Sequence, residues 1–386
     1  MNKKRILFIL SSWWAGGTHT AMSSIYNNYD RSKWDLSVYI LSQTGERDIP
    51  YGGVIIRNNA FLSAFFCNKK EFKRGERFLY CLAKVIKKAA RLFHVDLEPY
   101  LFKRNARKIE RNCSFDTIVA FIEGPVTRFG AYFSCPNKIA WIHCDYNKYL
   151  PEKESELDIY SRYSHIVTVS DYTTKVFQAR YPSLARKVIT INNLFDKQSV
   201  IQKSLAEPDD DRFVKSSFTI LSVGRIHPVK RFSSIPAIAN SLKERGYSFN
   251  WYIVGPSFDR KEVQRLQDSI RYYHLEDYVI WLGGKSNPYP YFKLSDLYVC
   301  TSLSEACPMV FNESRILGIP VISTDFPSAY EFIDNGKTGI IASFTDIADV
   351  IQDVIDNASL YDTLKKGAIT FDYDNESLLS LMDSIF

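Results

Sequence analysis

Residues 304–323 read SEACPMVFNESRILGIPVIS and carry two carboxylates, Glu305 and Glu313, eight residues apart. A short apolar run at 297–300 precedes them, and the stretch itself ends in a second such run, so each run predicts a buried strand. Because proline is favoured in the first turn of a helix, Pro308 predicts a helix start. Glu305 then lies on the loop before this helix, and Glu313 lies more than one turn inside it.

The same alternation of short apolar runs with longer amphipathic stretches continues through the rest of the chain. Runs rich in Ile, Val and Leu predict strands at 5–10, 36–41, 116–122, 138–142, 165–169 and 187–191 in the first half, and at 218–223, 249–254, 278–282, 297–300 and 320–323 in the second. This is the pattern of a parallel sheet covered by helices on both faces. The sequence therefore predicts an α/β fold of doubly wound, Rossmann-like sheets.

The length of 386 residues predicts two domains, because single hydrophobic cores stop growing at about 250–300 residues. Residues 201–217 contain Pro208, three consecutive aspartates and no apolar periodicity, and they are interpreted as a linker. The predicted domains are 1–200 and 218–370. Residues 371–386 end in an apolar helical pattern, and we expect this terminal helix to pack back on the first domain.

The composition, 46% hydrophobic and 24% charged, is typical of a folded globular protein. The net charge is only +6, but residues 61–111 hold 14 Lys and Arg against 5 Asp and Glu, a local excess of +9. Because the basic residues are confined to one segment, they indicate an anionic partner there, such as a membrane face or a phosphorylated acceptor. No nucleic-acid-binding motif accompanies it, and no nucleic-acid partner is expected.

Part of this segment, residues 77–93, predicts a basic amphipathic helix. Its apolar residues recur at intervals of three, four and seven, which indicates one helical face: Phe78, Leu82, Val85, Ile86, Ala89, Leu92 and Phe93. The cations lie mostly off that face: Lys84, Lys87, Lys88 and Arg91. Two interpretations stay open, a surface helix docked on its own sheet and an interfacial helix on anionic lipid.

The seven cysteines are scattered and never spaced as Cys-x-x-Cys, so neither a disulfide framework nor a zinc site is indicated. This predicts a reducing, cytoplasmic compartment. The N-terminus resembles a signal peptide, with basic residues before an apolar run. That run ends after five residues, at Leu10, and is better interpreted as a first strand. No stretch approaches the ~20 apolar residues that cross a bilayer.

Two cations follow the first predicted strand of the second half, in the sequence SVGRIHPVK that ends at Lys230. Arg225 offers a planar fork and Lys230 a point charge, and both are expected at the carboxyl edge of the sheet, where such folds bind ligands. Together they suit a diphosphate. Gly16 and Gly17 follow the first strand of the chain, where a turn without side chains lets backbone N–H groups approach an anion. The alternatives are solvated surface cations and an ordinary tight turn.

The two carboxylates suit hydroxyl groups, since an ionised carboxylate accepts several hydrogen bonds. Glu305 and Glu313 could each hold a vicinal diol, one on a hexose and one on a ribose. N–H groups of the helix between them would face phosphates at its positive end. A glycosidase could instead use the two as an acid and base pair, but Arg225 and Lys230 would then be unexplained.

Gly-Gly after the first strand, Gly-Arg-x4-Lys, and Glu-x7-Glu before LGIPVIS together resemble the retaining glycosyltransferases of family four. The stretches FIEG at 121–124 and AWIHCDY at 140–146 resemble members that build bacterial capsule, exopolysaccharide or wall polymers. The resemblance implies a GT-B fold, with two Rossmann-like domains facing across a cleft that holds a nucleotide-sugar. It covers both predicted domains.

Carried to this chain, the resemblance implies a role for each motif residue. The catalytic group would be Glu305, which holds the donor sugar, and His143, which meets the transferred sugar. The donor-binding group would be Gly16, Gly17, Arg225, Lys230, Cys307, Pro308, Met309 and Glu313, with the two cations on the diphosphate and Glu313 on the ribose. The sequence departs from the family pattern at Ala306 and Cys307, where Gly and Phe are commoner, and at Arg231, where Gly is frequent.

No Asp-x-Asp motif follows a strand, so we expect no metal and no cofactor, with Arg225 and Lys230 stabilising the leaving phosphate. The predicted reaction moves a hexose or N-acetylhexosamine from a UDP-sugar to a glycan or lipid-linked acceptor, with retention. The expected site of action is the cytoplasm, peripherally at the inner membrane face through residues 77–93. Alternatives are a sugar-nucleotide epimerase, a phosphorylase and a non-catalytic sugar-nucleotide sensor.

Overall fold

The structure is a computed structural model that describes residues 3–11, 16–41, 55–57, 63–65, 77–150, 154–215, 218–257, 259–371 and 373–386. The chain divides into two compact units. Unit 1 comprises Met1–Leu194 together with Asp374–Phe386, and unit 2 comprises Phe195–Tyr373. Each unit has its own parallel sheet and its own hydrophobic core.

Unit 1 is a seven-stranded parallel sheet with helices between its strands. The strands are β1 (Lys4–Leu10), β2 (Trp34–Ile40), β3 (Ile55–Arg57), β4 (Thr117–Ala120), β5 (Asn137–Ile142), β6 (His165–Thr168) and β7 (Val188–Thr190). The helices are α1 (Gly17–Asn28), α2 (Arg77–Leu92), α3 (Glu98–Asn112), α4 (Pro125–Gly130), α5 (Tyr146–Tyr149), α6 (Leu157–Tyr160) and α7 (Asp171–Arg180). The strand order is β3-β2-β1-β4-β5-β6-β7, and every pairing is parallel.

The last helix of the chain lies in unit 1 and packs on its sheet. The Phe386 ring meets Phe8 of β1 at 5.9 Å and Trp34 of β2 at 4.9 Å between ring centroids. Thr117 Oγ1 donates a hydrogen bond of 2.8 Å to the Phe386 backbone oxygen, and Asn137 Nδ2 donates one of 2.8 Å to Ile385. These contacts fix the terminal segment on strands β1, β2, β4 and β5.

Unit 2 is a six-stranded parallel sheet, again wound in βα steps. The strands are β8 (Thr219–Val223), β9 (Asn250–Val254), β10 (Val279–Gly283), β11 (Leu297–Cys300), β12 (Val321–Thr324) and β13 (Gly339–Ala342), in the order β10-β9-β8-β11-β12-β13. The helices are α8 (Lys197–Lys203), α9 (Ile235–Glu244), α10 (Arg260–Tyr272), α11 (Tyr289–Lys293), α12 (Met309–Ile316), α13 (Ala329–Phe332), α14 (Ile347–Asp356) and α15 (Ala358–Thr370). A final helix, α16 (Asn375–Ile385), belongs to unit 1.

Alternate residues of the unit 2 strands enter two separate cores, one on each face of the sheet. Trp251 and Ile253 of β9 pack in one core, whereas Tyr252 and Val254 pack in the other. Successive side chains of a strand point to opposite faces, so a strand buried on both faces must be apolar at every position. This explains the continuous apolar runs of the sequence. Both this fold class and the two Rossmann-like sheets agree with the prediction.

The structure adds two strands that the sequence patterns did not predict, β3 and β13. It also changes the interpretation of the predicted linker at 201–217: its residues 201–215 belong to unit 2, and the remaining two lie outside the described residues. Phe213 is buried against the rings of Tyr252 and Tyr291, and Asp210 forms an ion pair of 2.9 Å with Lys285. The polar composition of this segment therefore reflects paired charges on a folded surface. No helix in the described part of the chain is both long and apolar enough to span a bilayer.

Candidate functional site

The predicted donor-binding residues of unit 2 gather where the winding of the sheet reverses direction. From β8 the chain proceeds to β9 and β10 on one side, and then returns to β11 on the other side. In open parallel sheets, ligands bind at such a switch point, beyond the carboxyl ends of the strands. The loop after β8 carries Arg225 and Lys230, and the loop after β11 carries Glu305.

The loop after β8 is held by a close approach of two backbones. A Cβ atom on Gly255 would lie 1.8 Å from the carbonyl oxygen of Gly224, so only glycine fits at position 255. The N–H of Gly224 donates to Val254 O at 2.9 Å, which extends the pairing of β8 and β9 beyond the strands. Arg225 follows with an exposed side chain, for which the described residues provide no ion pair.

Lys230 and Glu305 form an ion pair of 2.5 Å between Nζ and Oε1. Ser302 Oγ donates to the same carboxylate oxygen at 2.6 Å, and Ser328 Oγ donates to the Glu305 backbone oxygen at 2.6 Å. Burial disfavours the charged form of Lys230, but the Glu305 carboxylate outweighs this, and the pKa of Lys230 is raised. The loops after β8 and β11 thus meet through a lysine that remains charged.

Further hydrogen bonds fix these two loops to each other. Thr301 Oγ1 donates to the backbone oxygen of Lys230 at 2.7 Å, and the N–H of Leu303 donates to Val229 O at 2.8 Å. Gly224 also has a steric role, since a Cβ there would lie 3.3 Å from Lys230 Cε. Because Gly224 has no side chain, it leaves room for the aliphatic part of the Lys230 side chain.

Arg231, at which the sequence departs from the family's frequent glycine, has a left-handed backbone with φ of 55°. Glycine tolerates this conformation best, which accounts for the family preference. Here the guanidinium lies 3.9 Å from the centroid of the Phe344 ring, a cation–π contact. The stacking stabilises the strained residue, and the three-residue helical turn Pro228–Lys230 forms normally before it.

Glu313, the second carboxylate of the motif, is on the second turn of α12 and is 7% exposed. Tyr289 donates its hydroxyl to Glu313 Oε1 at 3.1 Å. Burial raises the pKa of Glu313 to about 7, although the Tyr289 hydroxyl and the positive charge of Lys203 favour the ionised form. A buried carboxylate with so high a pKa exchanges its proton near neutrality.

Pro308 is the residue before the first turn of α12, and it provides no side-chain cap. The first N–H groups of a helix have no partner within the helix, although here the Phe311 N–H donates to Pro308 O at 3.1 Å. Met309, its first residue, is buried, while Cys307 is part-exposed. These three predicted donor residues thus lie between Glu305 and Glu313, as the sequence order requires.

In unit 1, the switch point falls between β1 and β4. Gly16 is the residue before α1, and Gly17 is its first residue. The φ of Gly16 is 166°, which any residue adopts, and a Cβ there would meet no atom of the described residues beyond its chain neighbours within 4 Å. Within the described part of the chain, no contact therefore requires glycine at position 16.

His143 directly follows β5, and its ring packs against Phe121 at 4.6 Å and parallel to Trp141 at 6.3 Å between centroids. Burial lowers the pKa of His143 to about 3, so the imidazole is neutral at physiological pH. Its Nε2 atom has no hydrogen-bond partner among the described residues. A neutral ring with an unused nitrogen can donate to or accept from a hydroxyl group.

Glu123, for which the sequence patterns predict no role, lies directly beside His143. It follows β4, and its Oε2 accepts a hydrogen bond of 3.0 Å from the His143 backbone N–H. Burial raises the pKa of the Glu123 carboxyl, although that N–H acts in the opposite direction. Glu123 thus fixes the turn that carries the histidine.

The described residues contain no group of three or more His, Cys, Asp or Glu that could hold a metal ion. Two neighbouring aspartates of unit 2, Asp209 and Asp210, are engaged by other side chains. Asp209 accepts from the Tyr291 hydroxyl at 2.5 Å, and Asp210 pairs with Arg212 and Lys285. The hydrogen bonds from Arg212, above all, lower the pKa of Asp210.

The sequence patterns missed the residues that hold the two motif glutamates, namely Ser302, Ser328 and Tyr289. Ser302 could have been identified, because it is a polar residue just beyond the carboxyl end of a buried strand, where ligands and their supporting residues gather. Ser328 and Tyr289 carry no such signal. They reach the glutamates only through the tertiary fold.

Comparison with known proteins agrees with this geometry. Residues 205–371, which lie within unit 2, match the family model of glycosyl transferases group 1. An uncharacterized glycosyltransferase of Methanocaldococcus jannaschii is 27% identical over 167 residues, which cover 42% of this chain and 40% of that protein. A capsular polysaccharide biosynthesis glycosyltransferase of Staphylococcus aureus is 25% identical over 158 residues, 40% of each chain. The chain thus matches about two fifths of the length of these relatives.

The fold is similar over nearly the whole chain to that of solved glycosyltransferase structures. The Anabaena protein HepE, solved in complex with UDP and glucose, superposes with a TM-score of 0.71 at 17% identity. The likeness covers 99% of this chain and 98% of HepE. The architecture is therefore GT-B, as the sequence predicted.

Proposed function

We propose that the chain is a glycosyltransferase that transfers a hexose or N-acetylhexosamine from a UDP-sugar to a glycan or lipid-linked acceptor. The product would be part of a surface polysaccharide, with the anomeric configuration retained. The observation that carries the proposal is the charge arrangement at the switch point of unit 2. An exposed Arg225 lies beside Lys230, whose own charge is paired with Glu305.

This arrangement suits a diphosphate leaving group. Arg225 provides a planar donor fork without a protein anion, and Lys230 remains protonated beside it. As the bond to the sugar breaks, negative charge accumulates on the phosphate oxygens, and fixed cations stabilise it without reorganisation. The acceptor hydroxyl would lose its proton to the leaving phosphate on the same face of the sugar. No protein nucleophile is required.

The carboxylates would hold the rest of the donor. Glu305 Oε1 already accepts from Lys230 and Ser302, while Oε2 has no donor among the described residues and could accept a sugar hydroxyl. Glu313 would accept ribose hydroxyls in its ionised form. In unit 1, His143 Nε2 has no hydrogen-bond partner among the described residues, so it could bond a sugar hydroxyl.

We also propose that catalysis is independent of metal ions and occurs at the cytoplasmic face of the membrane. Arg225 and Lys230 would supply the positive charge that a divalent ion supplies in other transferases. The strongly basic segment 61–111 supports the proposed location, since it complements anionic lipid.

The decisive experiment is calorimetric titration with UDP and a panel of UDP-sugars, using the parent protein and an Arg225→Ala variant. Loss of hydrogen bonds to a charged group should weaken UDP binding by roughly 1.5–3 kcal/mol. Arg212→Ala is the matched control, because Arg212 pairs with Asp210 outside the site. Unchanged UDP affinity in the Arg225→Ala variant would refute the phosphate site. Donor turnover only in the presence of a saccharide acceptor would separate a transferase from an epimerase or a sensor.

A further inference from the structure

Helix α2 presents three distinct stripes along its length of about 24 Å. One stripe packs on the protein: Ala83 is fully buried with Ala64 and Phe65, and Tyr80 and Ile86 pack beside it. Ile86 belongs to the apolar face that the sequence predicts, whereas Tyr80 and Ala83 lie outside that face. The residues that dock the helix recur at 80, 83 and 86. The exposed apolar residues at 78, 82 and 85 lie on a neighbouring face of the helix.

The main apolar stripe is exposed to solvent. Phe78 is 71% exposed, Val85 64% and Leu92 74%, and Leu82 between them is 38% exposed. Just beyond the helix, Phe93 is 79% exposed. The spacing 78, 82, 85, 89 and 92 keeps this stripe on one face over four turns. The helix is therefore docked on the protein through Tyr80, Ala83 and Ile86, while most of the predicted apolar face stays exposed.

A third stripe is cationic and borders the exposed apolar one. Arg77, Lys84 and Lys88 are all exposed, and their helical spacing places them beside the apolar stripe, on the side away from the packed one. No acidic residue occurs between positions 77 and 95. The following helix, α3, adds exposed cations at Lys103 and Arg104. Apolar and cationic stripes side by side are the pattern of a helix that lies in a membrane interface.

We propose that the stripe of Phe78, Leu82, Val85 and Leu92 docks unit 1 on an anionic phospholipid bilayer. The apolar side chains enter the boundary between headgroups and acyl chains, while the long Lys and Arg side chains extend to the phosphates. Charge decides between this occupant and a second copy of the chain. Two copies would bring cationic borders together, whereas an anionic surface complements them.

The proposal rests on the proposed function only in one respect, namely that a lipid-linked acceptor would lie in the same membrane. Vesicle binding itself needs no activity, so the two proposals can fail separately. Loss of vesicle binding with intact UDP binding concerns this surface alone. Loss of UDP binding with intact vesicle binding concerns the donor site alone.

The test is co-sedimentation with vesicles of phosphatidylcholine mixed with phosphatidylglycerol. The triple variant Arg77→Gln, Lys84→Gln, Lys88→Gln should bind roughly a hundredfold more weakly than the parent, since each cation near an anionic surface contributes about a factor of five. Binding of the parent should fall with added salt, because the attraction fades over about 8 Å at physiological ionic strength. Vesicles of pure phosphatidylcholine should bind poorly.

The matched control removes three exposed lysines of unit 2, as Lys261→Gln, Lys337→Gln and Lys366→Gln. It loses the same net charge and should bind like the parent. Equal weakening of both triple variants would reduce the effect to overall charge and overturn the assignment to α2. Parent protein that ignores anionic vesicles, or an Arg77 triple variant that binds them as well as the parent, would overturn it too.

A second variant tests the apolar stripe separately. Val85→Ser and Leu92→Ser change exposed side chains, so folding should be retained, which circular dichroism and a melting curve would verify. Vesicle binding should fall while every charge remains. Light scattering of the parent in solution checks the competing occupant: a dimer that these substitutions dissociate would show that a second copy covers the stripe, and would refute the lipid assignment.

Discussion

The raised pKa of Glu313 makes the stability of the protein depend on pH in a predictable direction. The folded chain holds a proton on this carboxyl up to about pH 7, whereas the unfolded chain releases it near the ordinary value of 4.5. Between these values the folded state binds more protons, so the free energy of unfolding falls as pH rises. The interval corresponds to roughly 3 kcal/mol of lost stability by pH 8.

The Glu313→Gln substitution removes this titration but keeps an acceptor for the Tyr289 hydroxyl, because the amide oxygen of glutamine can replace the carboxylate oxygen. We therefore expect the variant to resemble the parent below pH 4.5 and to be more stable than the parent, by roughly 3 kcal/mol, at pH 8. Burial of the parent's charge is the physical cause. The measured quantity is the difference in urea unfolding free energy between the two proteins at each pH, so that contributions of other groups cancel.

The same variant tests the proposed role of Glu313. If its carboxylate accepts the ribose hydroxyls, UDP should bind the parent more weakly as pH falls through 7, and the Gln variant should bind weakly without this pH dependence. Tyr289→Phe is a useful companion, because it removes the hydroxyl that favours the ionised form. A stability difference between parent and Glu313→Gln that stays constant from pH 5 to pH 8 would refute the reasoning.

Three further outcomes are expected. Lys230→Ala should lower the free energy of unfolding by about 1–3 kcal/mol in urea titrations, because it leaves the part-buried Glu305 unpaired. Arg225→Ala should change it by less than about 0.5 kcal/mol, and similar effects of the two variants would contradict the ion-pair assignment. Sugar transfer should persist in excess EDTA, and complete loss that Mg²⁺ or Mn²⁺ restores would contradict metal independence. Gly255→Ala should lower the melting temperature and UDP affinity together, since its Cβ would lie 1.8 Å from the Gly224 oxygen, and an unchanged melting curve would show that the backbones can separate.

The central strands were predictable because burial on both faces demands continuous apolar runs, and β11 was predicted to the residue. The two missed strands, β3 and β13, are sheet edges of three and four residues. Their apolar runs are too short to stand out in the sequence, whereas the other two edge strands, β7 and β10, were predicted from longer runs. The consecutive aspartates led to the prediction of a linker, because a sequence does not show whether a charged residue is paired in the fold. Asp209 and Asp210 in fact form ion pairs with Lys285.

The candidate site was predictable only in part. Motif spacing brought Arg225, Lys230, Glu305 and Glu313 to one sheet edge, but it could not indicate that Lys230 and Glu305 pair with each other across 75 residues. Helical periodicity likewise predicted an amphipathic α2 without its orientation. An apolar stripe indicates a covered surface, yet the small Ala83 marks the side that packs, because it permits a close approach to Phe65. The identity of a neighbour is a tertiary property that local spacing does not contain.

The contact between the backbones of Gly224 and Gly255 also has a consequence for how such an enzyme can change its substrate. The position of Arg225 is set by the close contact between the backbones of Gly224 and Gly255, neither of which has a Cβ atom. Substitutions of side chains elsewhere therefore leave Arg225 in place. Cys307 is part-exposed on the loop before α12 and carries no such restriction. If the proposed donor site is correct, substitutions at position 307 would change donor preference while the phosphate end stays constant, and a saturation library at that position would test this.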